Sequence, residues 1–329
     1  MTDNTSEGLF GERTDLTELS RSVERIKSEI GKVIVGQTEI VEQLVAALLA
    51  GGHVLIEGVP GVAKTLMAKM IARSMDIPFS RIQFTPDLMP SDVLGTSVFN
   101  PGQGRFEFRQ GPIFSGIILI DEINRSPAKT QSALFEVMEE RQVTVDGNTY
   151  QMQRPFMVMA TQNPVEHEGT YRLPEAQLDR FLFKVNVPYP TIDDEVRILE
   201  AHHGAHTPDL MEGVTPVLDG PQVSRLQETI RGLHVEPGLL RFIAGIVSAT
   251  RGNRSIFLGA SPRASVAVLN ASKAIAGMRG RDFVTPEDIL FVIPPVLRHR
   301  IVLTPEREME GVTTDEVISQ LIKGTEIPR

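Results

Sequence analysis

Residues 53–68 read HVLIEGVPGVAKTLMA, and the parsing of that stretch decides the fold. Val54–Glu57 is an apolar run of strand length. Gly58-Val59-Pro60-Gly61 interrupts it as a loop, and a helix opens at Lys64. Strand, glycine-marked loop and helix in that order make a P-loop, in which backbone N–H groups and the positive end of the helix cradle phosphate. Against the pattern G-x-x-x-x-G-K-[ST], Gly58 and Lys64-Thr65 fit; Lys64 reaches the β/γ-phosphates and the Thr65 hydroxyl reaches Mg²⁺. Ala63 stands where the second glycine is expected. The candidate phosphate-contacting positions are therefore Gly58, Pro60, Gly61, Val62, Ala63, Lys64, Thr65 and Leu66.

The chain around this loop has 329 residues, enough for roughly two domains. A hydrophobic content of 41% supports a sizeable core, and the absence of cysteine excludes disulfides and thiolate metal sites. The first residues, MTDNTSEGLFGERTD, are polar and acidic, unlike a signal peptide, and residues 1–13 read as a disordered tail. No apolar run is long enough to span a membrane, so a cytoplasmic setting is expected. A net charge of -9 and a pI near 5.4, with no tryptophan and three tyrosines, argue against a nucleic-acid partner.

Upstream of the loop, Leu16, Leu19, Val23, Ile26 and Ile30 fall on one helix face, and Ile40, Val41, Leu44, Val45 and Leu48 on another. Downstream, Phe79–Phe84 reads as a strand. Residues 86–116 contain two β-like runs about the turn Asn100-Pro101-Gly102-Gln103-Gly104, an expected hairpin. Ile117–Ile120 is an unbroken apolar run, as in a central parallel strand, and it ends in Asp121-Glu122. A helix is expected from Pro127 with Ser126 as its N-cap. A second hairpin follows over 142–153 about Asp146-Gly147-Asn148, then strands at Phe156–Thr161 and Leu182–Val187. This alternation predicts a doubly wound α/β domain with a parallel five-stranded sheet over 1–190, followed by an all-α domain over 191–329. Thr191 with Asp194, and Thr285 with Asp288, read as helix-capping pairs; residues 204–222 read as a loop.

Asp121-Glu122 behind four apolar residues is a Walker-B pattern. Asp121 would hold the metal sphere and Glu122 would activate water; the bland reading is a solvated acidic strand end. Asn163, beyond the next strand, reads on local chemistry alone either as a phosphate or water contact or as a turn residue before Pro164. His202, His203 and His206 stand close together without acidic or thiol partners at ligand spacing, which favours an exposed helix end over a metal site. Met67, Met70 and Met75 read as core filler.

The order GVPGVAKT, IILIDE, ATQNP, LPEAQLDRF and GASPRA resembles the AAA+ ATPases over most of the chain. More closely, DEINRSPAKTQSALFEVMEERQVTV and ATQNPVEHEGTYRLPEAQLDRF resemble the MoxR family, whose insert hairpin matches residues 86–116. The resemblance implies ATP and Mg²⁺ as cofactors and tolerance of alanine before the P-loop lysine. It matches Asn163 to sensor 1, Arg180 to an arginine finger acting on a neighbouring subunit, and Arg263 to sensor 2, in cis or in trans. It also matches Val35 and Gly36 to a loop contacting adenine. Without it both arginines would read as surface ion pairs, and Arg172 is a weaker rival for the trans role. It further implies a homo-oligomeric ring, commonly a hexamer, a lid whose angle changes with hydrolysis, and chaperone work on client proteins. Such clients sometimes receive a metal or cofactor, and partners often carry von Willebrand factor A domains. The rivals are a magnesium-chelatase-type subunit, a helicase-branch nucleic-acid motor, and a non-hydrolysing nucleotide-regulated scaffold.

Overall fold

Parity decides which core each sheet residue joins. A computed structural model describes residues 16–163, 173–204 and 211–327 of the chain. The expected disordered tail and Arg172 lie outside them. Helices α1 (Thr17–Gly31) and α2 (Thr38–Leu49) precede strand β1 (Val54–Gly58), and α3 (Lys64–Ser74) follows it. Next come β2 (Phe79–Gln83), a short α4 (Pro90–Leu94), the hairpin β3 (Gly95–Asn100) and β4 (Arg105–Gln110), and β5 (Ile117–Asp121). Helix α5 (Ala128–Glu140) leads to the hairpin β6 (Gln142–Val145) and β7 (Asn148–Gln151). The series ends with β8 (Met157–Gln162), α6 (Glu175–Leu178), β9 (Phe183–Val187) and α7 (Ile192–Gly204). The five-stranded sheet has the order β2-β5-β8-β1-β9 with every pairing parallel.

Alternate residues of the buried strands point to opposite faces. Val54, Ile56, Ile117, Leu119, Met157 and Met159 join one core with α1, α2 and α3. Leu55, Ile118, Ile120, Val158 and Ala160 join the other with Leu134, Phe135 and Met138 of α5. Met67, Met70 and Met75 are fully buried in the first core, as expected of filler. The two hairpins lean on each other: Phe108 stacks on Tyr150 with centroids 4.4 Å apart, and Ser97 Oγ donates to Asp146 Oδ2 at 2.5 Å.

Beyond α7 the chain is mainly helical, through Gly220–Arg231, Pro237–Gly252, Pro262–Met278, Pro286–Leu297 and Thr314–Lys323. One short antiparallel pair, β10 (Ile256–Leu258) with β11 (Val302–Leu303), departs from the all-α expectation. The first core continues into these helices: α1 and α2 pack on Pro262–Met278, and Gln227 donates to the Leu48 carbonyl at 2.6 Å.

Local chemistry sets the helix starts. Thr191 and Asp194 cap α7 (Oγ1 to Oδ2 2.7 Å), and Thr285 with Asp288 forms a capping box. Within the expected 204–222 loop a helix already begins at Gly220, because Asp219 and Gln222 bond each other's backbone N–H. Ser126 does not cap α5. A 3₁₀ turn over Ile123–Arg125 pulls it inward, its Oγ is buried without a partner, and Gln131 takes the carbonyls of Ile123 and Ser126 at 3.2 Å.

His53 is buried just before β1. Its Nδ1 accepts from the Val158 N–H at 2.9 Å, so Nε2 carries the proton and donates to the Met138 carbonyl at 3.1 Å. Burial, against that carbonyl and helped by the nearby Arg141 charge, lowers its pKa from 6.5 to about 4. The unfolded chain therefore binds the extra proton between these two values, and stability present above pH 6.5 is lost as pH falls through that window. Acidification from pH 7 to pH 5 is expected to cost about 2 kcal/mol through His53 alone. Denaturant titrations of wild type and His53→Gln check this: the variant should lose that part of the slope. The same slope in both proteins would refute the assignment. His299, also buried and pushed well below its ordinary range, acts in the same direction.

Candidate nucleotide site

The loop between β1 and α3 turns on two left-handed residues, Gly61 (φ 87°) and Ala63 (φ 60°). The second is the position where the motif prefers glycine, and the backbone supplies the reason: alanine enters that region at about 1 kcal/mol. Gly58 has no room for a side chain, since a Cβ would lie 2.8 Å from the Val187 carbonyl. Val62 is buried, whereas Pro60 and Gly61 are exposed at the loop tip. Lys64 Nζ donates to the Gly58 carbonyl at 2.5 Å, spanning the loop from the first residue of α3, and Thr65 and Leu66 complete the first turn. The conformation suits polyphosphate: a turned backbone, a helix N-terminus and an ammonium group on one loop.

A cleft of about 620 Å³ opens beside this loop, within the size range of small-ligand sites. Val35, Gly36, Gly58, Tyr189, Asp194 and Arg298 are among its walls. Gly36 has φ 75°, and a Cβ there would run into the Asp194 carboxylate, so glycine is required twice over. The ion pairs Lys184–Glu57 (2.8 Å) and Arg298–Asp315 (3.1 Å) consume the carboxylates of Glu57 and Asp315 at its rim. Val35 and Gly36 thus sit in one cleft with the loop, and a nucleoside has apolar walls to rest on.

The acidic pair lies at the C-terminal end of β5. Asp121 is nearly buried; Oδ1 accepts from Thr161 Oγ1 at 3.2 Å and Oδ2 from Arg81 Nε at 2.5 Å. Glu122 takes a left-handed backbone (φ 58°), its N–H donating to Thr161 Oγ1 at 3.0 Å. Its Oε2 accepts from Gln83 Nε2 at 2.8 Å and pairs with Arg125 at 3.2 Å. Asn163 is buried one residue beyond β8, the strand paired to β5. The Asp121 carboxylate and the Thr65 hydroxyl are hard oxygen donors of the kind a divalent cation takes, and Asp121 is here paired with Arg81. Arg81, Gln83 and Thr161 escaped the sequence reading. Their clue is strand order, because β2 sits beside β5 with Gln83 in register with Asp121.

Arg180 and Arg263 are not at this loop. Arg180 Nη1 donates to the Phe135 carbonyl (2.8 Å) and to Glu139 (3.2 Å), and Arg263 reaches the same Glu139 carboxylate at 3.9 Å. Both line a second cleft with Gly52 and His53, before β1. Five strand residues, about 16 Å, separate that end from the phosphate loop. The structure therefore groups the two arginines with each other and apart from their own chain's Lys64. His202 and His203 belong to α7, and His206 lies outside the described residues.

Residues 53–183 match the family described as "ATPase family associated with various cellular activities (AAA)", and residues 248–321 match the AAA lid domain. Chaperone MoxR1 of Mycobacterium tuberculosis is 44% identical over 94% of this chain and 83% of its own. The chain belongs to the MoxR family of AAA ATPases. Another relative, the uncharacterized protein YeaC of Bacillus subtilis, is 46% identical over 94% of this chain and 95% of its own length. A crystal structure of a candidate ATPase from Cytophaga hutchinsonii superposes with a TM-score of 0.88 at 40% identity, covering 95% of this chain and 97% of that one. This MoxR-family chain is accordingly an ATP-hydrolysing enzyme of the AAA class. Among the described residues no helix is long and apolar enough to cross a membrane.

Proposed function

We propose that this MoxR-family protein hydrolyses ATP to ADP and phosphate in a homo-oligomeric ring, a hexamer, and uses the cycle to remodel or mature a client protein in the cytoplasm. The observation that carries the reading is the split arrangement: Lys64, Thr65, Asp121 and Glu122 at one end of the sheet, Arg180 and Arg263 sharing Glu139 at the other. A site made from both ends needs two copies of the chain.

In this reading the nucleotide-binding part is 1–190 and the helical lid 191–329. Gly58 to Leu66 cradle the phosphates, with Lys64 on the β/γ oxygens. Val35 and Gly36 contact the adenine. Thr65 and Asp121 would hold Mg²⁺, which would supply charge neutralisation for the phosphate oxygens. Glu122 turns from Gln83, orients the attacking water and takes its proton. Asn163 hydrogen-bonds that water or the γ-phosphate, and Arg180 and Arg263 of a neighbouring copy stabilise charge on the transferring phosphoryl group. The client reading rests on the relative named as a chaperone; partners with von Willebrand factor A domains, or a metal or cofactor passed to the client, extend it.

Glu122→Gln tests the chemistry. The variant is expected to bind ATP and assemble like wild type but to turn over about a thousandfold more slowly. Single-turnover phosphate release measures this, and near-normal release would remove Glu122 from the mechanism. Because the variant stays loaded, proteins retained on it in ATP but not in ADP identify the client.

A further inference from the structure

Most of the bonds that hold the segment bearing Arg180 from the lid come from one buried side chain. Arg300, its side chain 4% exposed, uses all five guanidinium N–H groups. Nε donates to Asp179 Oδ1 (2.7 Å). One Nη2 hydrogen goes to the Asp179 carbonyl (3.0 Å) and the other to the Phe181 carbonyl (2.6 Å). Nη1 donates to the carbonyls of Leu182 (3.1 Å) and Val296 (2.5 Å). His299, next in the chain, adds a contact to the Phe181 carbonyl at 3.0 Å. Four of the five acceptors of Arg300 thus belong to residues 179–182: the Asp179 carboxylate and three backbone carbonyls on either side of Arg180.

The Asp179 carboxylate also reaches the start of the helix that carries Arg263. Asp179 Oδ2 accepts from Ser261 Oγ at 3.3 Å, and Ser261 is the N-cap of the helix whose second residue is Arg263. Asp179 therefore sits between Arg300 and the start of the Arg263 helix, and Glu139 bridges the two guanidinium groups themselves. A buried charge with every donor satisfied is costly to assemble and fixes geometry when complete. A lysine cannot reproduce the fork, since an ammonium has three donors and no plane.

We propose that Arg300, acting through Asp179, is a positioning residue for trans catalysis: it locks the Arg180 segment and the Arg263 helix into one arm presented to the neighbouring subunit. The inference rests on the reading that Arg180 acts in trans. A staple between packed helices would only hold the fold together; a positioning clamp produces its defect in the next subunit's site.

Mixed rings separate the two. Arg300→Lys, and the isosteric Asp179→Asn as the gentler variant, are expected to bind fluorescent ATP within twofold of wild type and to lose at least tenfold in kcat. Mixed with equal amounts of Lys64→Ala subunits, each should recover about a quarter of wild-type turnover, because random assembly puts an intact arginine donor beside half of the intact loops. Arg180→Ala mixed with Lys64→Ala is the control. Recovery in the control but not with either clamp variant overturns the clamp. A tenfold loss of ATP affinity in Asp179→Asn also overturns it, by placing the defect in the subunit's own site. No recovery in the control, in rings shown to be mixed, overturns the trans reading beneath it.

Discussion

Lys64→Ala is expected to weaken nucleotide binding at least a hundredfold while leaving the fold intact. In the proposed site the ammonium group is the loop's own cation at the β/γ-phosphates, and its bond to the Gly58 carbonyl turns it into the loop. Truncating one partner of a close, partly desolvated charge pair costs about 3 kcal/mol, at least a hundredfold in affinity. Lys64 is half-buried and its neighbours Met67 and Ala68 carry the packing of α3, so the melting temperature should hardly move. Titration with a fluorescent ATP analogue measures the loss. Retained tight binding would overturn the assignment of this loop as the phosphate cradle.

Arg180→Ala should show the converse pattern, with affinity kept and turnover lost. Its partner Glu139 is half-exposed, and an ion pair in that setting is worth under about 1 kcal/mol to folding. If Arg180 were only a surface ion pair, kcat would therefore be untouched. As a trans arginine it is expected to be worth about a thousandfold in kcat, with the ATP dissociation constant near wild type because the chain's own loop lies at the other end of β1. Steady-state hydrolysis above the assembly concentration, alongside direct binding, distinguishes the cases. A kcat within threefold of wild type would return Arg180 to the salt-bridge reading.

What could be read from the sequence is what is local in the chain. The phosphate loop is a run of eight residues, and Asp121-Glu122 follows directly on a hydrophobic strand, so spacing alone exposed both. Ala63 marks the edge of that legibility: the letters show a missing glycine, and only the backbone shows that the position is left-handed. Arg81, Gln83 and Thr161 were illegible because they meet Asp121 and Glu122 through strand order. An edge strand reading FSRIQF does not announce which neighbour its polar residues face. Arg180 and Arg263 are 83 positions apart, and their shared carboxylate emerges only when α5 and the Pro262 helix are packed together. The Ser126 cap failed for a nearer reason. Pro127, not Ser126, is the residue at the N-cap of α5, and the 3₁₀ turn before it leaves the Ser126 hydroxyl buried one residue too early to accept from the first N–H groups of the helix.

The continuous core that joins α1 and α2 to the C-terminal helices bears on how the chain can be cut and spliced. Leu19 and Ile230 both close on Gly277, where an added Cβ would meet them at 3.3 Å and 3.1 Å, so the seam has no slack. Excising the C-terminal helices would strip the helix Pro262–Met278 from α1 and α2 and uncover Leu19, which packs at Gly277. As a building block for chimeras, the protein is indivisible: grafts belong at the exposed hairpin tip around residues 101–104, away from the Asp146 tip that the first hairpin grips.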